Sequence, residues 1–169
     1  GARPLGPRSV FEIGSINKTF TGTLLADMVA RGEVALDDPI SKYLPEGVDA
    51  PSWNGKPITL LHLATHRSGL PRLPDNHTPA DRRNPYADYT IEKLYAFLSG
   101  HELRREPGAE GEYSNLGFGL LGHLLARAAG TSYIDLVRER ILEPLDMDMT
   151  AYALEGQVAE WMTRGHRDG

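Results

Sequence analysis

The sequence has 169 residues, of which 40% are hydrophobic and 24% are charged, and its formal net charge at pH 7 is -5. This length suits one domain with a buried core, and the composition is that of a globular protein rather than a disordered one. The negative charge, with no Lys/Arg run longer than two residues, argues against a nucleic-acid partner.

Residues 1–7 lack the apolar centre of a signal peptide. No apolar run approaches the ~20 residues of a membrane-spanning helix, so we expect no membrane span in this chain. Zero cysteines exclude a disulfide framework, a thiol nucleophile and a cysteine-bound metal. The compartment stays open between periplasmic or secreted, if the full-length protein carries a signal, and cytoplasmic.

A short strand followed by a long helix is predicted near the amino terminus. Residues Ser9–Ile13 combine β-branched and aromatic side chains and meet Gly14, a pattern typical of a strand that ends in a turn. From Ser15 onward, apolar residues recur every four positions, at Ile16, Phe20, Leu24 and Met28. This spacing predicts an amphipathic helix of about four to five turns that stops at Gly32.

Caps and breakers divide the rest of the chain into further helices and loops. Residues 51–57 and the proline-rich segment 71–89 are predicted to be loops. The predicted helices are a short turn between Pro39 and Leu44, Thr59 to His66, Thr90 to Ser99, Asn115 to Ala129, a helix capped by Thr131 or Ser132 that runs toward Pro144, and Glu155 to Thr163.

The first sequence with chemical meaning is Ser15-Ile16-Asn17-Lys18, at the predicted junction of strand and helix. Residues three apart share one face of a helix, so the Lys18 amine can lie beside the Ser15 hydroxyl and act as the base that a serine nucleophile needs. The amino end of the helix would stabilise an oxyanion formed there. The alternative is that Ser15 only caps the helix and Lys18 is a solvated surface residue.

The second sequence with chemical meaning is Tyr113-Ser114-Asn115, which lies after a Pro-Gly turn and before an apolar helix. In an extended segment, residues 113 and 115 point to the same side, so a phenol and a carboxamide would project into one site. A phenol beside a lysine ammonium can accept and return protons, and the amide can bind the lysine and a substrate carbonyl. The alternative is a buried tyrosine and a helix-capping asparagine.

Three stretches of sequence also carry a family resemblance. They are Phe11–Thr21 with the Ser-x-x-Lys sequence, Ile58–Pro71 ending in Thr-His-Arg-Ser-Gly-Leu-Pro, and Pro107–Gly117 with Tyr-Ser-Asn, followed by Ile141–Met147. In this order they resemble the serine β-lactamase and penicillin-binding-protein superfamily. The similar branch holds class C β-lactamases, D-alanyl-D-alanine carboxypeptidases and related esterases, and Tyr-x-Asn in place of Ser-Asp-Asn argues against class A.

The resemblance implies an α+β fold of the β-lactamase/transpeptidase type and a serine hydrolase that forms an acyl-enzyme. By resemblance, Ser15 is the nucleophile, Lys18 its base partner, Tyr113 the second proton carrier, and Asn115 a contact to substrate and lysine. The implied substrate is a small molecule or peptide with an amide, lactam or ester carbonyl. No metal or organic cofactor is implied, and the oligomeric state is open.

Two elements of the family pattern are missing from the sequence. No Lys-Thr-Gly or His-x-Gly triplet follows Asn115, and the family's first strands do not precede Ser9. We therefore expect residues 1–169 to form a single partial domain, mainly helical, with one short amino-terminal strand and most of the sheet missing. A catalytically silent fragment or ligand-binding domain of the same fold is the alternative to an active hydrolase.

Two further patterns favour structure over function. Gly117-Phe118-Gly119-Leu120-Leu121-Gly122 matches G-x-G-x-x-G but lies inside a predicted helix, which favours close helix packing over nucleotide binding. His62 and His66 have the spacing of a zinc-binding helix. Position 63 is leucine rather than glutamate and no third ligand presents itself, so we expect no metal site there.

Overall fold

The structure is a computed structural model that describes residues 4–163, and most of its regular elements are helices. The helices are α1 (Asn17–Ala30), α2 (Leu60–Ala64), α3 (Ile91–Gly100), α4 (Asn115–Ala129), α5 (Tyr133–Val137) and α6 (Gly156–Trp161). Turns of 3₁₀ helix lie at Gly14–Ile16 and Ile40–Lys42, and a π-helical turn, Arg138–Leu142, continues α5. The mainly helical prediction is confirmed.

The strand predicted at Ser9–Ile13 is wrong. Only Val10 pairs, in an isolated parallel bridge with Met162, where the Val10 N–H donates to the Trp161 carbonyl at 2.9 Å. β-Propensity alone does not make a strand, because each strand residue needs a neighbouring backbone to bond.

The segment 51–57, predicted to be a loop, contains a small hairpin. Strands β1 (Ser52–Trp53) and β2 (Lys56–Pro57) pair antiparallel. The turn is Asn54-Gly55, and both residues have positive φ, 48° and 81°. Asn-Gly is the preferred pair for such two-residue turns, so the signal was present in the sequence.

Helix α4 is the centre of the core and packs against α1, α2 and α5. Its fully buried side chains are Leu120, Leu121, Leu124 and Leu125. Leu24 and Met28 of α1 and Leu60 and Leu63 of α2, all completely buried, belong to the same apolar cluster. The packing therefore sets the amino ends of α1 and α4 in one part of the molecule.

No helix within residues 4–163 has the length and apolar character needed to cross a membrane.

Side-chain caps begin four of the helices at the predicted type of residue. Thr59, Thr90 and Ser132 each accept a hydrogen bond from a backbone N–H in the first turn of the following helix. Helix α2 is shorter than predicted and ends at Ala64, because His66 takes a positive φ of 58°. The cap of α4 is Ser114, whose Oγ accepts from the Gly117 N–H at 2.8 Å, so Asn115 is free for another role.

The glycines of α4 have the packing role that the sequence predicts at two of three positions. A Cβ on Gly122 would lie 2.9 Å from Tyr133 Cε2, and one on Gly117 would lie 3.3 Å from Ser114 Oγ. Gly119 is different, because a Cβ there would have no neighbour within 4 Å. Close approach of Tyr133 to α4 therefore depends on Gly122.

Gly122→Ala should destabilise the fold, because the new methyl group overlaps the Tyr133 ring; overpacking of this kind costs about 1–3 kcal/mol. Gly119→Ala is the matched control on the same helix, and it should be neutral or stabilising by up to about 1 kcal/mol through helix propensity. Urea unfolding of both variants measures the difference, and equal midpoints would contradict the packing assigned to Gly122.

Candidate active site

Ser15 and Lys18 lie at the amino end of α1. Ser15 is in the 3₁₀ turn that leads into the helix, and Lys18 Nζ donates a hydrogen bond to Ser15 Oγ at 3.2 Å. Gly14, just before the serine, has φ 50°, a conformation that glycine adopts without strain. The Ser15 side chain caps neither helical segment, so the alternative of a merely capping serine is wrong.

Tyr113 and Asn115 reach the same place from the start of α4. Tyr113 OH donates to Ser15 Oγ at 2.8 Å, and Asn115 Oδ1 accepts from Lys18 Nζ at 2.9 Å. Tyr113 is 39% exposed and Asn115 is not the cap of α4, so both parts of the alternative for this segment are wrong. All four residues singled out from the sequence thus lie in one hydrogen-bonded cluster.

Ser114 separates these two residues and anchors them. It is 1% exposed, and its Oγ donates to the Pro71 carbonyl at 2.6 Å while it caps α4. Its burial turns the side chains on either side of it toward Ser15 and Lys18. The sequence expectation that residues 113 and 115 face one side agrees with this geometry.

Arg72 is a neighbour of the cluster that the sequence did not indicate. Its guanidinium carbon lies 5.0 Å from the centroid of the Tyr113 ring, and its carbonyl accepts from the backbone N–H groups of Asn115 and Leu116 at 3.0 and 3.2 Å. No acidic partner for its side chain lies within residues 4–163. An isolated arginine in a proline-rich loop has no local sequence pattern that predicts such a contact.

The surroundings of Tyr113 are electropositive. Lys18 Nζ lies 4.9 Å from the ring centroid, nearly the same distance as the guanidinium carbon of Arg72. The pKa of the Tyr113 phenol is lowered from its ordinary value, first by hydrogen bonding with Lys18 and with Ser15, and further by the positive charges of Lys18 and Arg72. The phenolate is therefore easier to form here than in a solvated tyrosine.

A cleft of about 790 Å³ opens beside the cluster. Ser15, Lys18 and Asn115 line it, together with Thr21 and Tyr133 from deeper in the fold. A smaller apolar pocket of about 210 Å³ adjoins it, and the two share the residues Tyr86, Ile91, Asn115, Gly119 and His123. The cleft is of the size that holds a small-molecule ligand.

The paired histidines are not arranged as metal ligands. His62 Nδ1 accepts from the Thr59 N–H, and His66 Nδ1 accepts from the Ser114 N–H. Because α2 ends at Ala64, the two imidazoles do not share a helix face. No cluster of three His, Asp or Glu side chains suited to a metal ion occurs in the part of the chain that the structure describes.

Comparison with known proteins places the chain in a class. A sequence model described as Beta-lactamase matches residues 1–169. The D-alanyl-D-alanine-carboxypeptidase/endopeptidase AmpH of Escherichia coli (strain K12) is 42% identical over 144 residues, 85% of this chain and 37% of that protein. A Beta-lactamase of the same organism is 35% identical over 169 residues, 99% of this chain and 41% of its own.

The solved structures agree. A Beta-lactamase/D-alanine Carboxypeptidase from Yersinia pestis, complexed with citrate, matches with a TM-score of 0.87 and 36% identity over 94% of this chain and 45% of that one. The fold is of the β-lactamase/transpeptidase type. The chain belongs to the β-lactamase family, and it spans about 40% of the length of the curated relatives it matches.

Arg72→Gln should raise the pKa of Tyr113 toward that of an ordinary tyrosine, because one of the two cations that stabilise the phenolate is removed. Carbon-13 NMR of labelled tyrosine, assigned with Tyr113→Phe, measures the titration. Arg82→Gln in the same loop is the matched control and should leave the Tyr113 titration unchanged. An unchanged midpoint in Arg72→Gln would show that the guanidinium has no electrostatic effect on the phenol.

Proposed function

We propose that this chain carries the nucleophile and the proton-transfer groups of a serine hydrolase that acts through an acyl-enzyme. The supporting observation is that Ser15 Oγ accepts hydrogen bonds from both Lys18 Nζ and Tyr113 OH, at 3.2 and 2.8 Å. A serine hydroxyl becomes nucleophilic when a neighbouring base removes its proton, and both neighbours can exchange protons.

In the proposed first step, the Lys18 amine reacts in its unprotonated form: it takes the Ser15 proton and becomes an ammonium while Oγ bonds to the substrate carbonyl carbon. Asn115 holds the lysine amine in place through its Oδ1 and can contact the substrate with its amide nitrogen. The bond from the carbonyl carbon to the leaving nitrogen or oxygen then breaks, and the leaving group takes a proton from the Tyr113 phenol, which becomes a phenolate. This leaves the acyl group on Ser15.

In the second step, a water molecule loses a proton to the Tyr113 phenolate and attacks the acyl carbonyl. Ser15 Oγ then takes a proton back from the Lys18 ammonium as the acid departs. The lowered pKa of Tyr113 suits a group that must both accept and return a proton. The amino end of α1 faces the developing oxyanion with the positive end of the helix dipole. These proton transfers need no cofactor.

The names of the relatives suggest the kind of carbonyl. They are a D-alanyl-D-alanine-carboxypeptidase/endopeptidase and β-lactamases. These names refer to a peptide bond and to a lactam ring, and both contain an amide carbonyl. For this chain we propose a small-molecule or peptide substrate with a D-alanyl amide, lactam or ester carbonyl. The cleft beside Ser15 and Lys18 provides the space for it.

Incubation with a fluorescent penicillin and with a nitrophenyl ester should add an acyl mass to Ser15. Ser15→Ala should abolish the adduct, whereas Ser52→Ala, on the exposed hairpin, should leave it unchanged. Mass spectrometry of the intact chain and of its peptides measures both. No label on Ser15 with any of these substrates would favour a catalytically silent ligand-binding domain instead.

Tyr113→Phe should slow acyl transfer by about 10²–10⁴-fold, the usual contribution of a positioned general acid or base. The ring stays against Lys18, so only the phenol oxygen is lost. Tyr43→Phe removes a phenol that is bonded to Asp38 rather than to Ser15, and its rate should match the wild type. Single-turnover labelling measures both rates, and a normal rate in Tyr113→Phe would exclude the phenol from proton transfer.

A further inference from the structure

His66 contacts the candidate site through its backbone. It lies just beyond α2 with φ 58°, and its carbonyl accepts from the Glu112 N–H at 2.8 Å. The next residue, Arg67, accepts from the Gly108 N–H at 2.8 Å. These two bonds tie the segment 108–112, which leads to Tyr113, onto the end of α2.

The imidazole of His66 makes a second set of contacts. Nδ1 accepts from the Ser114 N–H at 3.1 Å, and the ring lies 4.5 Å from the Tyr113 ring and 4.8 Å from the Phe118 ring, between centroids. One side chain therefore holds both the backbone after Tyr113 and the face of its ring. This backbone and ring carry the phenol that donates to Ser15 Oγ at 2.8 Å.

These contacts require a neutral ring. An imidazole nitrogen accepts a hydrogen bond only when it carries no proton, so a doubly protonated His66 would turn a donor toward the Ser114 N–H. Within residues 4–163, the charge that acts on the ring is that of Lys18 of α1, the Tyr113 phenol ring packs against it, and the Glu112 carboxylate is paired with Arg105. Burial, and then the charge of Lys18, lower the pKa of His66 and keep the ring neutral at pH 7.

We propose that neutral His66 is a positioning residue that holds Tyr113 against Ser15, and that protonation of its imidazole releases the phenol. The catalytic consequence rests on the proposed function, but the geometry can be tested without it. Below the ordinary histidine pKa of ~6.5, as the ring gains its proton, Tyr113 should leave Ser15 and acyl transfer should slow.

Two substitutions distinguish the role of the His66 hydrogen-bond acceptor from that of its aromatic ring. Asparagine tolerates a positive φ and offers an oxygen acceptor, whereas phenylalanine keeps an aromatic ring but has no acceptor. His66→Phe should lower the acylation rate constant at all pH values by up to about 10²-fold, the cost of misplacing a catalytic group by about 1 Å. His66→Asn should recover much of this loss and should no longer show the part of the acid decline that belongs to His66.

His101→Asn is the matched control, because His101 is also stacked on an aromatic ring, that of Phe97 at 4.6 Å, and its pKa is also lowered by burial. It should change neither the rate nor the pH profile. A wild-type rate and pH profile in His66→Phe would overturn the proposal.

NMR of the wild-type chain tests the positioning without any substrate. Nitrogen-15 spectra should show Nδ1 of His66 unprotonated and Nε2 protonated at pH 7, and the Tyr113 ring signals should shift with the His66 titration. A protonated Nδ1, or Tyr113 signals that do not follow His66, would overturn the proposal. If the wild type forms no acyl adduct, the proposed hydrolase function fails, and these spectra still decide whether His66 holds Tyr113.

Discussion

The hydrogen bond between Lys18 Nζ and Asn115 Oδ1 joins residues 97 positions apart, at the point where α1 and α4 begin side by side. It forms because the leucines of α4 pack against α1, and this packing fixes the position of one helix relative to the other. Lys18 also donates to Ser15, which lies three residues earlier in the 3₁₀ turn that leads into α1. A site with charged and polar groups therefore depends on an apolar core that lies behind it.

The start of α4 is held by backbone groups from a loop and by a neutral ring. The Arg72 carbonyl satisfies two N–H groups of the first turn, Ser114 bonds the Pro71 carbonyl, and His66 accepts the Ser114 N–H. The backbone N–H groups at the start of a helix have no partner within the helix, and here the loop and His66 supply their acceptors. These contacts hold the backbone next to Tyr113 from several directions. Two cations, those of Lys18 and Arg72, face its ring, and a neutral His66 adds no third charge.

Much of the helical architecture was predictable from the sequence, because helix signals act within about four residues. Thr90 caps α3 as predicted, and α4 covers Asn115–Ala129 with Gly130 in the left-handed conformation at its end. The strand predicted at residues 9–13 did not form, because strand formation depends on a partner that the local sequence does not specify. The hairpin at Asn54-Gly55 had a local signal in its turn.

For the candidate site, the sequence by itself determined the proximity of Ser15 and Lys18, since a helix brings positions three apart together regardless of the rest of the fold. Their catalytic roles, and that of Tyr113, stay predictions. Only the tertiary structure decided that Arg72 faces the phenol and that His66 holds it. Those contacts join segments more than 40 residues apart, and the packing of the whole core, rather than any local rule of spacing, sets the distance between them.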